Sequence, residues 1–231
     1  MSNGLRGYVK NSGQKALNEN KEYHLFGHIY VYIKDPLPEG VDIVSILQKI
    51  EQTVPYSLAQ NVESIFIGQF EELISREVDA VYDSGTIYLS NEQDNELDIY
   101  GDIVHEIAHS IEEWAGFEIY SDGLLEQEFL KKRKKLFDIL SGMGYNISLG
   151  DFMEAEYSKN FDFFLYKSIG YDKLNLISIG LFPNSYSITS IREYFAMGFE
   201  EFITGGRYEL EKISPVLFQK LEQLVENLEE V

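Results

Sequence analysis

The sequence predicts an α+β fold: a small mixed N-terminal sheet with helices, then a mostly helical C-terminal part, with a cleft between the two. Three observations predict it. Ile29, Val31 and Ile33 alternate with Tyr30 and Tyr32, the two-residue period of a strand. The segment DAVYDSGTIYLS (79–90) places Ser84 and Gly85 as turn residues between two strand-like arms. From Asn95 onward the apolar period becomes helical and stays so through most of the chain.

Taken in order, residues 1–22 are polar, rich in Asn and Gly and without an apolar period, and they read as a flexible arm. A single domain is expected over 23–231. The alternation from Tyr23 to Lys34 reads as one strand, which Pro36 and Pro38 end. Val41 to Thr53 has helical spacing, with Asp42 suited to the positive helix start. A strand over Ser64 to Ile67, a short helix over QFEELISRE (69–77) and the 79–90 hairpin follow, the arm Thr86 to Ser90 being short enough for a sheet edge. A helix should run from Asn95 to Trp114, with Gly116 placed to stop it. Further helices are expected over Gly123 to Leu140, which holds the basic run KKRKK (131–135), Thr189 to Ile203 and Ser214 to Leu228.

At 231 residues and 44% hydrophobic content, the chain can bury one large core or two lobes around a cleft. A formal charge of −20 opposes binding to nucleic acid and anionic membranes. No apolar run is long enough for a membrane span, and no export signal is readable at the N-terminus. Without cysteine, a metal ion would have to be held by imidazoles and carboxylates.

Residues 105–109 read H-E-x-x-H. At 100° per residue, His105 and His109 lie one turn apart on one helix face, so both imidazoles can grip one ion. Taking Ile103 as the origin, Ile99, Ile107, Ile111 and Trp114 cluster around it, whereas His105, His109 and Glu106 fall at about 200°, 240° and 300°. One face packs and the other looks into a cleft. Chance would give this pattern in a chain so poor in histidine on the order of one time in a hundred. A catalytic zinc needs a third protein ligand and an open position. His24 and His28 would stand about 13 Å apart on one side of a strand, too far for joint ligation. Glu193, opposite the core stripe Ile191, Phe195, Phe199 and Phe202, is the best third ligand. Ser190 to Glu193 equally fits a capping box, in which the glutamate only satisfies the helix start.

HEIAHSIEEWAG (105–116), followed downstream by YSITSIREYFAMGF (186–199), resembles the zinc metallopeptidase domain of the anthrax toxin lethal factor family and, more distantly, the clostridial Pro-Pro endopeptidases. The resemblance covers residues 23–202 in order of elements, but only these two motifs are specific. It implies a zincin-like fold with an active-site helix. It also implies Zn2+ bound by His105, His109 and Glu193, with Tyr186, seven residues before Glu193, stabilising the tetrahedral intermediate. Both offsets match, which favours Glu193 as a ligand over the capping role. The interval from His109 to Glu193 is longer than the family leads one to expect, so extra helices are expected around 121–182. The acid that some relatives carry four residues after the third ligand is here Met197, so support for the imidazoles is expected from Asp102 or Glu113. The resemblance also implies secretion and a toxin-delivery partner, whereas the visible N-terminus fits a cytoplasmic location.

On this reading Glu106 takes a proton from the attacking water, the substrate is a protein or peptide, and an extended segment adds to the edge arm Thr86 to Ser90. The competing expectation is a catalytically silent docking module of the same fold that binds a protein partner. Such a module would be expected to lose Glu106 or a ligand, and all five positions are present.

Overall fold

The computed structural model describes residues 23–229; the N-terminal arm expected over 1–22 lies outside them. The fold is α+β. Five strands, β1 (Tyr23–Leu25), β2 (Ile29–Ile33), β3 (Ser64–Ile67), β4 (Ala80–Asp83) and β5 (Thr86–Leu89), form one sheet in the order β1-β2-β3-β5-β4. β2, β3 and β5 run parallel, and β1 and β4 pair antiparallel to them at the two edges. Helix α1 (Ile43–Thr53) joins β2 to β3, and a short α2 (Glu71–Arg76) precedes β4. Ile29, Val31, Ile65, Ile67, Ile87 and Leu89 turn to one buried face, as strand alternation requires, while Tyr30, Tyr32, Phe66 and Tyr88 stay half-exposed on the other.

Two sequence expectations are corrected here. Tyr23 to Lys34 is a hairpin rather than one strand: Phe26 and Gly27 take φ of 54° and 74°, which reverses the chain and pairs His24 with Tyr30. The glycine permits a turn that the alternation on either side conceals. The arm Thr86 to Ser90 is not an edge, because β5 is sandwiched between β3 and β4. The outer strand is β4, since the chain passes the sheet's rim before doubling back inward.

The long helix α3 (Glu96–Tyr120) starts at Asn95, whose Oδ1 accepts from Leu97 and Asp98 N–H groups. It buries Ile99, Ile103, Ile107, Ile111, Ala115 and Ile119, a stripe at four-residue spacing against the shared core. It runs through Gly116, where nothing lies within reach of an added Cβ. The reversal comes at Gly123, whose φ of 67° suits a residue without Cβ.

The expected extra helices fill 121–182: α4 (Leu124–Gly142), α5 (Leu149–Phe152), α6 (Lys159–Phe164), a π-helical turn (Leu165–Ile169) and α7 (Tyr171–Ile177). A 3-10 turn (Tyr186–Ile188) then leads into α8 (Ile191–Thr204), which packs along α3, followed by α9 (Arg207–Ile213) and α10 (Pro215–Glu229). No described helix is long and apolar enough to cross a membrane.

The basic run is only partly a solvated face. Phe129, Lys132, Arg133, Leu136 and Leu140 share the buried stripe of α4. Lys132 Nζ donates to the carbonyls of Leu181 (2.7 Å) and Ile213 and to Ser214 Oγ, and burial pushes it down to about 8. Arg133 is 1% exposed. Its guanidinium donates to the carbonyls of Ile188 (2.9 Å), Thr189 (3.2 Å) and Glu154, and lies 4.2 Å from the Phe161 ring centroid. This cation therefore clamps the turn that carries Tyr186 and leads into α8. Arg133→Met removes the desolvated charge but strands the carbonyls. An uncompensated buried polar group costs about 1–3 kcal/mol, so a net loss of about 2–3 kcal/mol is expected, or roughly 4–12 °C in melting temperature. An unchanged thermal melt would refute the clamp.

Candidate metal centre

α3 and α8 carry the site between them. Ser190 caps α8 by accepting the Glu193 N–H at 3.1 Å. The Glu193 carboxylate is meanwhile free to reach across: Oε2 lies 3.1 Å from His105 Nε2 and 3.7 Å from His109 Nε2. The cap and the cross-helix contact thus coexist, the backbone serving one and the side chain the other. The two imidazoles stand 4.9 Å apart by ring centroid at 79°. One ligand atom from each of His105, His109 and Glu193 falls within 4.8 Å of the others, close enough to hold a metal ion. A tetrahedral edge for metal–donor bonds of roughly 2.0–2.2 Å is about 3.3–3.6 Å, and the two imidazole–carboxylate distances straddle it, so the donor set fits such an ion.

The electrostatics agree with that fit. Burial opposes charging of His109, yet its hydrogen bond to Glu112 and the nearby Glu193 carboxylate raise it to about 10. His105 is raised the same way, by Glu193 against burial. Burial opposes ionisation of Glu193 too, but the two histidines hold it well below the usual carboxylate range. A site that favours positive charge on both imidazoles is one whose potential favours a cation.

Glu106 is 5% exposed, and burial raises its carboxyl against the lowering pull of His109 and His105. The backbone of Tyr82, on edge strand β4, adds a weaker pull in the same direction as the histidines. Tyr186 sits in the 3-10 turn with its ring edge-on to Tyr171 at 6.3 Å. Burial, then Glu193, Asp162, Tyr157 and Glu106, raise its hydroxyl far above the ordinary phenol value, so it stays a donor.

The expected supports, Asp102 and Glu113, bond elsewhere. Glu113 accepts from the Tyr82 hydroxyl at 2.7 Å, and Asp102 accepts from Gln93 Nε2 at 2.7 Å. The histidine-facing acids are Glu112 and Glu200. Glu112 Oε2 lies 2.8 Å from His109 Nδ1, and its carboxylate also receives the Arg192 fork and the Tyr120 hydroxyl. Glu200 Oε2 stands 3.9 Å from His105 Nδ1. Position 197 holds neither role, Met197 Sδ being met by the Asn184 amide. The signals were present, Glu112 three residues after His109 and Glu200 two turns after Glu193, but such acids resemble surface residues in a chain with 39 of them. His24 and His28 take no part: His24 packs edge-on to Tyr30, and His28 Nδ1 lies 2.9 Å from the Phe26 carbonyl.

Asp102 lines an acidic recess of about 460 Å3 with Asp79, Asp98 and Glu200. Burial, with Asp79 and Glu106 adding to it and Gln93 opposing, pushes its carboxyl from 3.8 to about 7. Across that interval the folded chain holds a proton that the unfolded chain has released, so this residue's contribution to stability falls as pH rises from about 4 to 7. Asp102→Asn keeps an acceptor for Gln93 and removes the charge. With metal chelated, the variant should melt above wild type at pH 8, a gap that closes toward pH 4; equal melting at pH 8 would count against it.

No family model matches the chain, and neither the curated proteins nor the solved structures yield a match.

Proposed function

We propose that the chain is a zinc-dependent endopeptidase, of zincin-like fold, in which His105, His109 and Glu193 hold the metal and Glu106 and Tyr186 do the proton and oxyanion work. The observation that carries this reading is the Glu193 carboxylate, 88 residues from His105, lying 3.1 and 3.7 Å from the Nε2 atoms of the two histidines of an H-E-x-x-H helix. The resemblance to the lethal factor family points the same way. Bound zinc would supply a Lewis acid for the scissile carbonyl and a more acidic water.

The chain's own residues supply the rest. With zinc in place of the protons that the metal-free imidazoles favour, His105 and His109 would be neutral Nε2 donors and Glu193 would add one negative charge, leaving the centre net positive. Glu106 is not needed as a ligand. Its raised carboxyl suits a group that accepts a proton and then returns it to the leaving amine. The Tyr186 hydroxyl, kept protonated by burial and neighbouring acids, donates to negative charge developing on the carbonyl oxygen. An extended peptide would add alongside β4, the outermost strand nearest Glu106, rather than along Thr86 to Ser90. The substrate is thus a protein or peptide, and the family resemblance implies delivery outside the producing cell.

The test is direct: dialysed protein should carry one zinc per chain and cleave members of a peptide library, with cleavage lost in Glu106→Gln. Retained zinc with no cleavage of any peptide would favour the silent docking module instead.

A further inference from the structure

Among the described residues, two buried side-chain polar atoms have no hydrogen-bond partner, His105 Nδ1 and Trp114 Nε1. The first lies in the candidate metal centre, where the two imidazoles are treated unequally. His109 Nδ1 has Glu112 at 2.8 Å, whereas His105 Nδ1 has Glu200 at 3.9 Å, beyond hydrogen-bonding range. An imidazole that gives Nε2 to a metal carries its proton on Nδ1, so metal binding turns this atom into an obligate buried donor.

We propose that Glu200 is the positioning carboxylate of His105, accepting the Nδ1 proton when Nε2 is engaged and so fixing the ring's tautomer and angle. The inference rests on the metal-centre reading above. Three further observations place Glu200 for this role. It follows Glu193 by seven residues on α8, which at 3.6 residues per turn returns it to almost the same face. It approaches α3 over Gly101, one turn before His105, where an added Cβ would stand 3.0 Å from Glu200 Oε1. The missing side chain gives the carboxylate its way in. Finally, Glu200 borders the acidic recess and is 29% exposed, so it has room for the closure of roughly 1 Å that a hydrogen bond requires. Among the described residues its one ion-pair partner is His105.

The experiment measures zinc affinity by competition with a chromophoric chelator for wild type, Glu200→Gln, Glu200→Leu and Glu193→Ala. It is paired with long-range proton–nitrogen NMR of the histidine rings in the zinc-loaded proteins. Glu200→Leu should bind zinc about 10–100-fold more weakly, the usual cost of losing a partner of a metal-bound histidine. Glu200→Gln, which keeps an uncharged acceptor, should recover part of that loss. Metal-free melting should not fall in either variant, and the His105 Nδ1 proton signal, protected in wild type, should be lost to exchange in Glu200→Leu. Wild-type affinity and an unaltered ring signal in Glu200→Leu, with zinc binding abolished in Glu193→Ala, would overturn the role of Glu200 alone. A wild type that binds no zinc would overturn the metal centre and this inference together.

Discussion

Glu106→Gln should lower peptide cleavage by about 10²–10⁴-fold, the range that a positioned acid–base group contributes, while leaving zinc content unchanged. The substitution is nearly isosteric at a position only 5% exposed, so packing is conserved. What disappears is proton transfer. Steady-state turnover on a library-derived peptide, read beside metal content, separates this loss from loss of the ion. Turnover within a few-fold of wild type would remove Glu106 from the mechanism.

Glu193→Ala should weaken zinc binding on the order of a thousandfold or more, beyond the roughly 10–100-fold expected when a residue behind a ligand is changed. The design of α8 makes this result interpretable. Helix initiation depends on Ser190 Oγ accepting the Glu193 backbone N–H, which the alanine retains. The helix start and its packing on α3 therefore survive, and only the cross-helix carboxylate is removed. The same substitution takes away the charge that raises His105 and His109, so both imidazoles should titrate at lower pH in the metal-free variant. Undiminished zinc affinity would return Glu193 to a capping role and leave the centre with two ligands.

Much of this architecture was legible in the residue pattern, and the exceptions share a cause. Ser64 to Ile67, the reversal at Ser84 and Gly85 and the start of α3 at Asn95 are set by neighbours close in sequence, through alternation, turn geometry and capping. The H-E-x-x-H helix face is local in the same sense. The order of strands is not: whether β5 lies inside or at the rim depends on which partner it meets after folding. The burial of Lys132 and Arg133 within the basic run is not local either, because their acceptors are main-chain carbonyls contributed by residues 154–213, which no charge pattern reveals. That Glu112 rather than Glu113 holds His109 rests on where Arg192 and Tyr120 arrive, which the helix's own residues do not set.

The fork between Arg192 and Glu112 also spans the two helices of the site. Arg192 precedes Glu193 on α8, while Glu112 follows His109 on α3 and holds its Nδ1. A latch made of protein atoms alone thus fastens α3 to α8 beside the His105, His109 and Glu193 cluster. Small zinc modules fold only around their metal; here a contact between side chains also ties together the two helices that carry the donors.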